Sequence, residues 1–456
     1  MQLSAKSQLR ETPSQVCTEF LDVLLKDYPR NDCQVRLWDG SLCHPSTPNL
    51  PSQPKPGCLG APIPGALGTP GAEKQPRFTL VFNHPGALRE MFLSPSELAL
   101  GETYIHGDFD IEGDIDAAFD LADYLLGQER SLREKLRLRE QLHKLPTIAH
   151  ERARLRLVGA VHSKDRDRRA VCYHYDLPAD FYALFLDRRM VYSCAYFATE
   201  DEDLDSAQVR KLDYICRKLR LHPGERLLDL GCGWGGMVMH AAAHYGVEAV
   251  GITLSARQAE VARKRLSEAG LKDCCRIEVL DYRDMNHREQ YDKIVSIGMF
   301  EHVGEALLPE YFRRAWELLR PGGVFLNHGI AYSATYRRRG PSFSDHYVFP
   351  DGELVPISTS LRAAEFSGFE VRDVESLREH YALTLRHWTQ RLQAHSEEAR
   401  RITDATTYRI WRLYMAGARH AFQSGRLNIY QALLAKPVNG RSGLPLTRND
   451  WYQVET

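Results

Sequence analysis

The sequence predicts an α/β protein: a doubly wound, mostly parallel sheet of Rossmann-like type with a helical region attached, preceded by a smaller α+β module. Three observations point there. Strand-like and helix-like segments alternate from about residue 166 onward, the pattern of successive βαβ units. A short apolar run ends in a glycine-rich turn at 227–236, LLDLGCGWGG, and an apolar helix, MVMHAAAHY, follows at once. Residues 1–128, by contrast, mix short strands and helices with a stretch dense in Pro and Gly.

In chain order, the N-terminal module begins with a helix over 15–26 and a strand, QVRLWDGS. Residues 44–77 read as a flexible Pro/Gly-rich surface insertion. A strand, RFTLVFNHP, follows, then helices at 87–92 and 95–100, a loop-like GETYIHGDFDIEGD, and a helix at 115–126. Residues 129–165 form a basic helical linker, 166–440 the larger domain, and 441–456 a C-terminal tail. Within the larger domain the buried strands are RLLDLG, EAVGITL, CRIEVLD, YDKIVSIG and GGVFLNHG, with helices at 235–245, 255–269 and 306–319 between them.

Composition narrows the class. With 43% hydrophobic and 26% charged residues, a chain of 456 can bury a sizeable core in two or three domains. No apolar run reaches membrane-spanning length, and the first fifteen residues lack the apolar core of a secretory signal. A cytoplasmic protein is expected. The ten cysteines include no CxxC pair and no Cys/His cluster at zinc spacing, so no metal site is expected. The net charge of −1 hides an asymmetry. Residues 1–128 carry 17 acidic and 9 basic side chains, whereas 130–169 carry 5 acidic and 13 basic. The basic segment reads as an intramolecular partner of the acidic module, as a solvated helix, or as a site for an anionic surface.

The glycine turn carries the first chemical information. It leaves bare backbone N–H groups at a helix N-terminus. Its G-x-G-x-G-G spacing is not the G-x-G-x-x-G of dinucleotide binders. Asp229 would repel a pyrophosphate but accept hydrogen bonds from an ammonium group, which suits S-adenosylmethionine (SAM) better than NAD. Another nucleotide, or a plain α/β turn, remains an alternative. Thr253, Ser255 and Gln258 follow the second strand, where they reach a ribose, although Ser255 equally suits a helix cap. Asp281, Tyr282 and Arg283 close the third strand, as adenine contacts or as an ordinary turn. Glu301 and His302 end the fourth strand in SIGMFEHVG, facing the sulfonium of a bound donor. His328 closes the fifth, Cys194 lies in YSCAYF, and Tyr381 in EHYALTLRHW. Each alone fits a structural role as well; their joint occurrence points to a site.

The blocks YHYDLPADFYALFLD, MVYSCAYF, LDLGCGWGG, GITLSARQ, LDYRD, VSIGMFEHVG and NHGI, with the segment YRIWRLYMAGARHAFQSGRLNIYQALLAK, resemble the cyclopropane fatty acid synthase family. The resemblance spans roughly 170–436. It implies the SAM-dependent methyltransferase fold and transfer of a methylene group from SAM to the cis double bond of unsaturated phospholipid acyl chains. It further implies a carbocation deprotonated by bound bicarbonate. Matched position by position, the bicarbonate ligands would be Cys194, Glu301, His328, the backbone of Ile330, and Tyr381. Tyr192, Ser193, Gly231, Gly233, Thr253, Gln258, Tyr282 and Arg283 would surround SAM, with Asp229 in the turn's approach. Tyr282 and Arg283 depart in type from the mycobacterial branch. The region from 331 to about 398 would wall the acyl chain. By their charge Arg337, Arg338 and Arg339, with the basic segment, would meet anionic headgroups at the inner face of the membrane, while a solvated loop fits the triple-arginine run equally. A homodimer is implied by the resemblance alone. A nucleic-acid substrate would not need these residues around an alkene. Two readings stay open beside cyclopropanation: a related fatty acyl methyltransferase giving a methylene- or methyl-branched chain, and a non-catalytic lipid-binding relative.

Overall fold

The computed structural model describes residues 11–30, 32–43, 75–150, 158–175, 177–286, 288, 290–336 and 342–452. Most of the expected insertion at 44–77, and the run Arg337 to Arg339, lie outside the described residues. Two compact units divide the chain, Met1–Arg152 and Ala153–Thr456. The division falls within the stretch read as a linker.

In the first unit, helix Pro13–Leu25 starts at Thr12, whose side chain and Gln15 close a capping box. Four strands form a sheet: β1 (Cys33–Arg36), β2 (Leu42–Cys43), β3 (Phe78–Phe82) and β4 (Phe109–Gly113), in the order β2-β1-β3-β4. Phe78, Leu80 and Phe82 are buried while the residues between them are partly exposed, so one face of β3 is covered. The segment GETYIHGDFDIEGD is not a loop. Its first five residues finish helix Glu97–Ile105, and Phe109–Gly113 is β4. Leu80 faces Ile111 across the antiparallel β3–β4 pair, a long-range partner that outweighs the local turn-forming Gly and Asp residues. The basic segment is helical over Leu132–His143, starting at a Ser131–Glu134 capping box.

The second unit is built on seven strands: β5 (Arg226–Leu230), β6 (Glu248–Thr253), β7 (Cys275–Val279), β8 (Tyr291–Ile297), β9 (Leu319–Tyr332), β10 (Glu370–Ser376) and β11 (Leu427–Ala435). Their order is β10-β11-β9-β8-β5-β6-β7. The five from β9 to β7 run parallel, and β11 pairs antiparallel with both β9 and β10. Successive residues of each strand feed opposite cores, as the pleat requires. Leu227, Ala249 and Val295 pack with helices Leu204–Leu219 and Gly236–Tyr245 on one face. Leu228, Val250 and Ile294 pack with helix Leu308–Leu318 on the other. A third apolar cluster joins 181–197 to helices Arg378–Ala394 and Ala405–Gln423 through Phe181, Phe185, Trp388 and Trp411.

Three sequence readings change here. The last block of the resemblance ends in a strand, since LNIYQALLA is β11. The stretch 331–398 likewise contains β10 besides helices. The stretch read as a tail carries helix Asn449–Tyr452, whose Trp451 is buried in the core beside Leu212. Among the described residues no helix is long and apolar enough to cross a membrane.

The sheet switches direction of winding at β5, which lies between β6 and β8. A ligand crevice therefore opens at the carboxyl ends of these strands. Close packing across that edge is tight. A Cβ on Gly329 of β9 would lie 2.0 Å from Cε1 of Phe300, the residue before Glu301. Gly329→Ala is expected to destabilise the protein by about 1–3 kcal/mol, read as a lower thermal midpoint. An unchanged midpoint would show that Phe300 swings aside freely.

Candidate active site

β5 ends at Leu230 and the chain turns through Gly231, Gly233 and Gly235, with φ of +87°, +55° and +81°. Those left-handed angles favour glycine. Gly231 has a second reason, because a Cβ there would meet Met299 Cβ at 2.7 Å. The N–H groups of Gly231 and Cys232 donate to the Ile252 carbonyl at 3.0 and 2.9 Å, which clamps the turn against β6.

Above the turn lies an open cleft. All nine residues expected around the methyl donor line it: Tyr192, Ser193, Asp229, Gly231, Gly233, Thr253, Gln258, Tyr282 and Arg283. Thr253 Oγ1 donates to Gln258 Oε1 at 2.8 Å. Ser255 accepts from the Gln258 N–H at 3.2 Å and is buried, so it serves as the helix cap. The Arg283 guanidinium is held by Asp281, by Asp167 at 3.0 Å and by the His162 carbonyl at 3.1 Å. Arg283 is thus committed to the wall, leaving Tyr282, with its buried and unpartnered hydroxyl, as the group open to a ligand.

Asp229 is buried with Oδ1 unpartnered, and desolvation pushes its carboxyl up to about 7. Lys211, not singled out in the sequence, is fully buried nearby and donates to Ser193 Oγ at 3.0 Å. Burial brings its ammonium down to about 8, against the opposing pull of Asp187, Cys194 and Asp229. The N–H groups of Gly231, Cys232 and Gly235 are taken by backbone carbonyls and are not bare as the sequence suggested, because the turn folds back on β6 and on itself. The glycine-rich turn beside an unpaired carboxyl still fits close approach of a ligand bearing an ammonium.

A second cluster adjoins the cleft. Glu301 sits in the 3-10 turn Phe300–His302 after β8 and accepts from the Ile330 N–H at 2.8 Å. Its Oε2 is buried without a partner, and burial pushes the carboxyl up to about 7. Burial raises the phenols of Tyr175, Tyr381 and Tyr414 and the Glu301 charge adds to each shift, which places all three within electrostatic reach of it. Cys194 also acts on Tyr381; its thiol faces the Ala195 carbonyl at 3.2 Å and is pushed far up by burial, so it is a neutral thiol and no nucleophile. His328 lies two residues before Ile330 on the same face of β9. Two expectations change. Glu301 and His302 do not face one space: His302 lines the cleft, and Glu301 is among the tyrosines instead. The Ile330 amide serves Glu301, because a buried carboxylate takes the nearest free strand N–H to offset its lost hydration.

Tyr175 and Tyr192 belong to both regions. Both line the cleft, while Tyr175 senses Glu301 and Tyr192 stacks on Trp388 at 5.0 Å. His174, Trp411 and Tyr182 extend the aromatic wall. Tyr175 and Tyr414 sit in matched blocks but read there as core aromatics. A lysine on the mainly apolar buried face of helix Leu204–Leu219, which also carries Gln208 and Lys218, was the available signal for Lys211.

A parallel sheet of this order, with a glycine turn at the carboxyl end of β5, is the fold of the SAM-dependent methyltransferases. Residues 162–432 match the family model described as mycolic acid cyclopropane synthetase. A protein of Pseudomonas putida called a probable fatty acid methyltransferase is 41% identical over 83% of this chain and 92% of its own length. The cyclopropane mycolic acid synthase MmaA2 of Mycobacterium tuberculosis is 37% identical over 58% of this chain and 95% of its own. Its solved structure superimposes with a TM-score of 0.56 at 35% identity, covering 59% of this chain and 97% of that one. The mycolic acid cyclopropane synthase CmaA1, solved with SAH and CTAB, gives the same score, identity and coverage. The chain belongs to the mycolic acid cyclopropane synthetase family, and with that family it is a SAM-dependent methyltransferase.

The state of Asp229 has a measurable consequence. Its folded pKa lies above its unfolded value, so the folded protein binds more protons between pH 3.8 and about 7 and loses stability as pH rises through that window. Asp229→Asn is expected to stabilise the ligand-free protein at pH 8, by on the order of a few kcal/mol, with the gain vanishing near pH 4. Thermal denaturation across pH reads this; no gain at pH 8 would mean that Asp229 is paired.

Proposed function

We propose that the protein transfers a methylene group from SAM to the cis double bond of unsaturated phospholipid acyl chains, leaving a cyclopropane ring. The observation that carries this reading is the shared aromatic wall. Tyr175 lines the cleft and lies within electrostatic reach of a buried carboxyl, Glu301, which burial pushes up to about 7. Bound SAM supplies an electrophilic methyl on a sulfonium. Asp229 would take its ammonium, the glycine turn its approach, and Thr253, Gln258 and Tyr282 its nucleoside, with Tyr192 and Ser193 closing the near side. Methylation of an alkene leaves a carbocation on the acyl chain. Aromatic faces stabilise such a cation without acting as nucleophiles toward it.

Glu301, Cys194, His328 and Tyr381 are proposed as the catalytic set, with Ile330 holding Glu301. The unpartnered Oε2 of Glu301 and Nε2 of His328 fit a small anion that carries a proton. Bicarbonate bound there would supply the base for the proton lost on ring closure. Glu301 then accepts the anion's own hydrogen bond, which its raised pKa permits.

The name of the Pseudomonas putida relative favours a second reading, in which a different proton is lost and a methylene- or methyl-branched chain results. Incubation with SAM and cis-unsaturated phospholipid vesicles tests both. Formation of SAH with one added CH2 per chain is expected, and no SAH would refute the enzyme reading. Product NMR separates the outcomes, because a methylene branch gives an ozone-cleavable alkene and a cyclopropane does not. Glu301→Gln is expected to keep SAM binding and lose about 100-fold or more in turnover. Unchanged turnover would remove Glu301 from the mechanism.

A phospholipid substrate requires contact with a lipid surface. Helix Leu132–His143 presents Leu132 and Leu136, 73% and 61% exposed, beside exposed Arg133, Lys135, Arg137 and Arg139. Basic residues near an anionic bilayer contribute about 1 kcal/mol each. Vesicle cosedimentation is expected to weaken with added salt and with loss of anionic lipid; binding indifferent to both would count against this contact.

A further inference from the structure

We propose that Lys218 and Gln431 are positioning residues that fix His328 as its Nε2–H tautomer, making it a permanent hydrogen-bond donor to the reaction site and barring it from acting as the base. The inference rests on the site proposed above, in which His328 faces a small anion.

The argument follows donors and acceptors. Lys218 is buried at 1% exposure, and its ammonium donates to Gln431 Oε1 at 2.9 Å and to Glu375. An ammonium has only donors, so the amide oxygen of Gln431 has to face it. The amide nitrogen is thereby turned to His328 Nδ1, at 3.3 Å. That nitrogen has only donors in its turn, so Nδ1 accepts and carries no proton. A neutral imidazole then holds its single proton on Nε2. Nε2 is the buried atom of His328 that no described residue satisfies.

The surroundings keep the ring neutral and the relay in place. His328 is 1% exposed, and burial with the charges of Lys211 and Lys218 holds its pKa well below the usual value. Gln431 and His328 are directly opposed partners of the antiparallel β11–β9 pair, so the strand register itself sets their contact. Lys218 is seated by Glu375, by Asp373 at 4.0 Å, and by the rings of Tyr214 and Trp451 at 4.5 and 5.4 Å. A ring with its proton on Nε2 and its other nitrogen occupied has no lone pair to offer toward the site. Proton removal falls to Glu301 and the bound anion.

The test uses the full-length protein carrying 15N-labelled histidine. Ring-nitrogen NMR reports the tautomer of His328, assigned by the signals lost in His328→Asn. The wild type is expected to show a protonated Nε2 and a bare Nδ1. Gln431→Glu keeps the side chain's shape and gives Lys218 a carboxylate to pair with, so folding is preserved. It presents only acceptors to Nδ1, so the single ring proton is expected to move to Nδ1 and leave Nε2 bare. Turnover of SAM with cis-unsaturated phosphatidylglycerol vesicles is then expected to fall about 100-fold, the usual cost of spoiling a donor to a reacting anion, while the SAM KM stays within about twofold. Three results would overturn the proposal: wild-type His328 with its proton on Nδ1, a reversed tautomer with unchanged kcat, or lost kcat with an unchanged ring pattern. The wild-type tautomer is read without turnover. A wild type that shows the Nε2–H ring yet forms no SAH therefore counts against the proposed function and not against the relay.

Discussion

Two carboxyl groups kept from water and left half-satisfied, Asp229 at the end of β5 and Glu301 just after β8, are the constraint around which the second unit is organised. Each has one oxygen without a partner, and desolvation holds each near neutrality in pKa. Burying such groups costs free energy, and the fold offsets it with the two apolar layers that sandwich the sheet. In the proposed function a bound ligand recovers that cost, a cation at Asp229 and a proton-bearing anion at Glu301.

The adjacency of β5 and β8 makes both groups neighbours of one cleft, yet their surroundings differ. Asp229 shares its space with Lys211, a glycine turn and polar side chains. Glu301 shares its space with phenols, a neutral thiol and a strand amide. The first environment suits a charged, hydrogen-bonding ligand. The second suits a hydrocarbon on which charge appears only briefly. Tyr175 lines the cleft that Asp229 lines and also lies within electrostatic reach of Glu301, so the two environments meet at an aromatic side chain.

Antiparallel β11 adds a third influence. By pairing with β9 it covers what would otherwise be a sheet edge, and it places Gln431 opposite His328. One buried lysine, Lys218, thereby acts on the site through a side chain of a different strand.

The parallel sheet and the glycine turn were legible because both are written locally. Continuous apolar runs mark strands buried on both faces, and the left-handed turn needs glycine whatever surrounds it. Thr253, Gln258, Tyr282 and Arg283 were legible as cleft residues because they follow strand ends at short spacing, whereas Tyr192 and Ser193 came from the resemblance alone. The strands β4, β10 and β11 were not, because their partners lie far away in sequence and their own residues also suit loops or helices. Nor was the convergence of Tyr175, Tyr381 and Tyr414 on Glu301, the capture of Glu301 by the Ile330 amide, or the burial of Lys211. The sequence by itself determined which chemical groups this protein has and where along the chain they cluster. Only the tertiary structure decided their protonation and their partners, because desolvation and hydrogen-bond direction depend on neighbours supplied by distant segments.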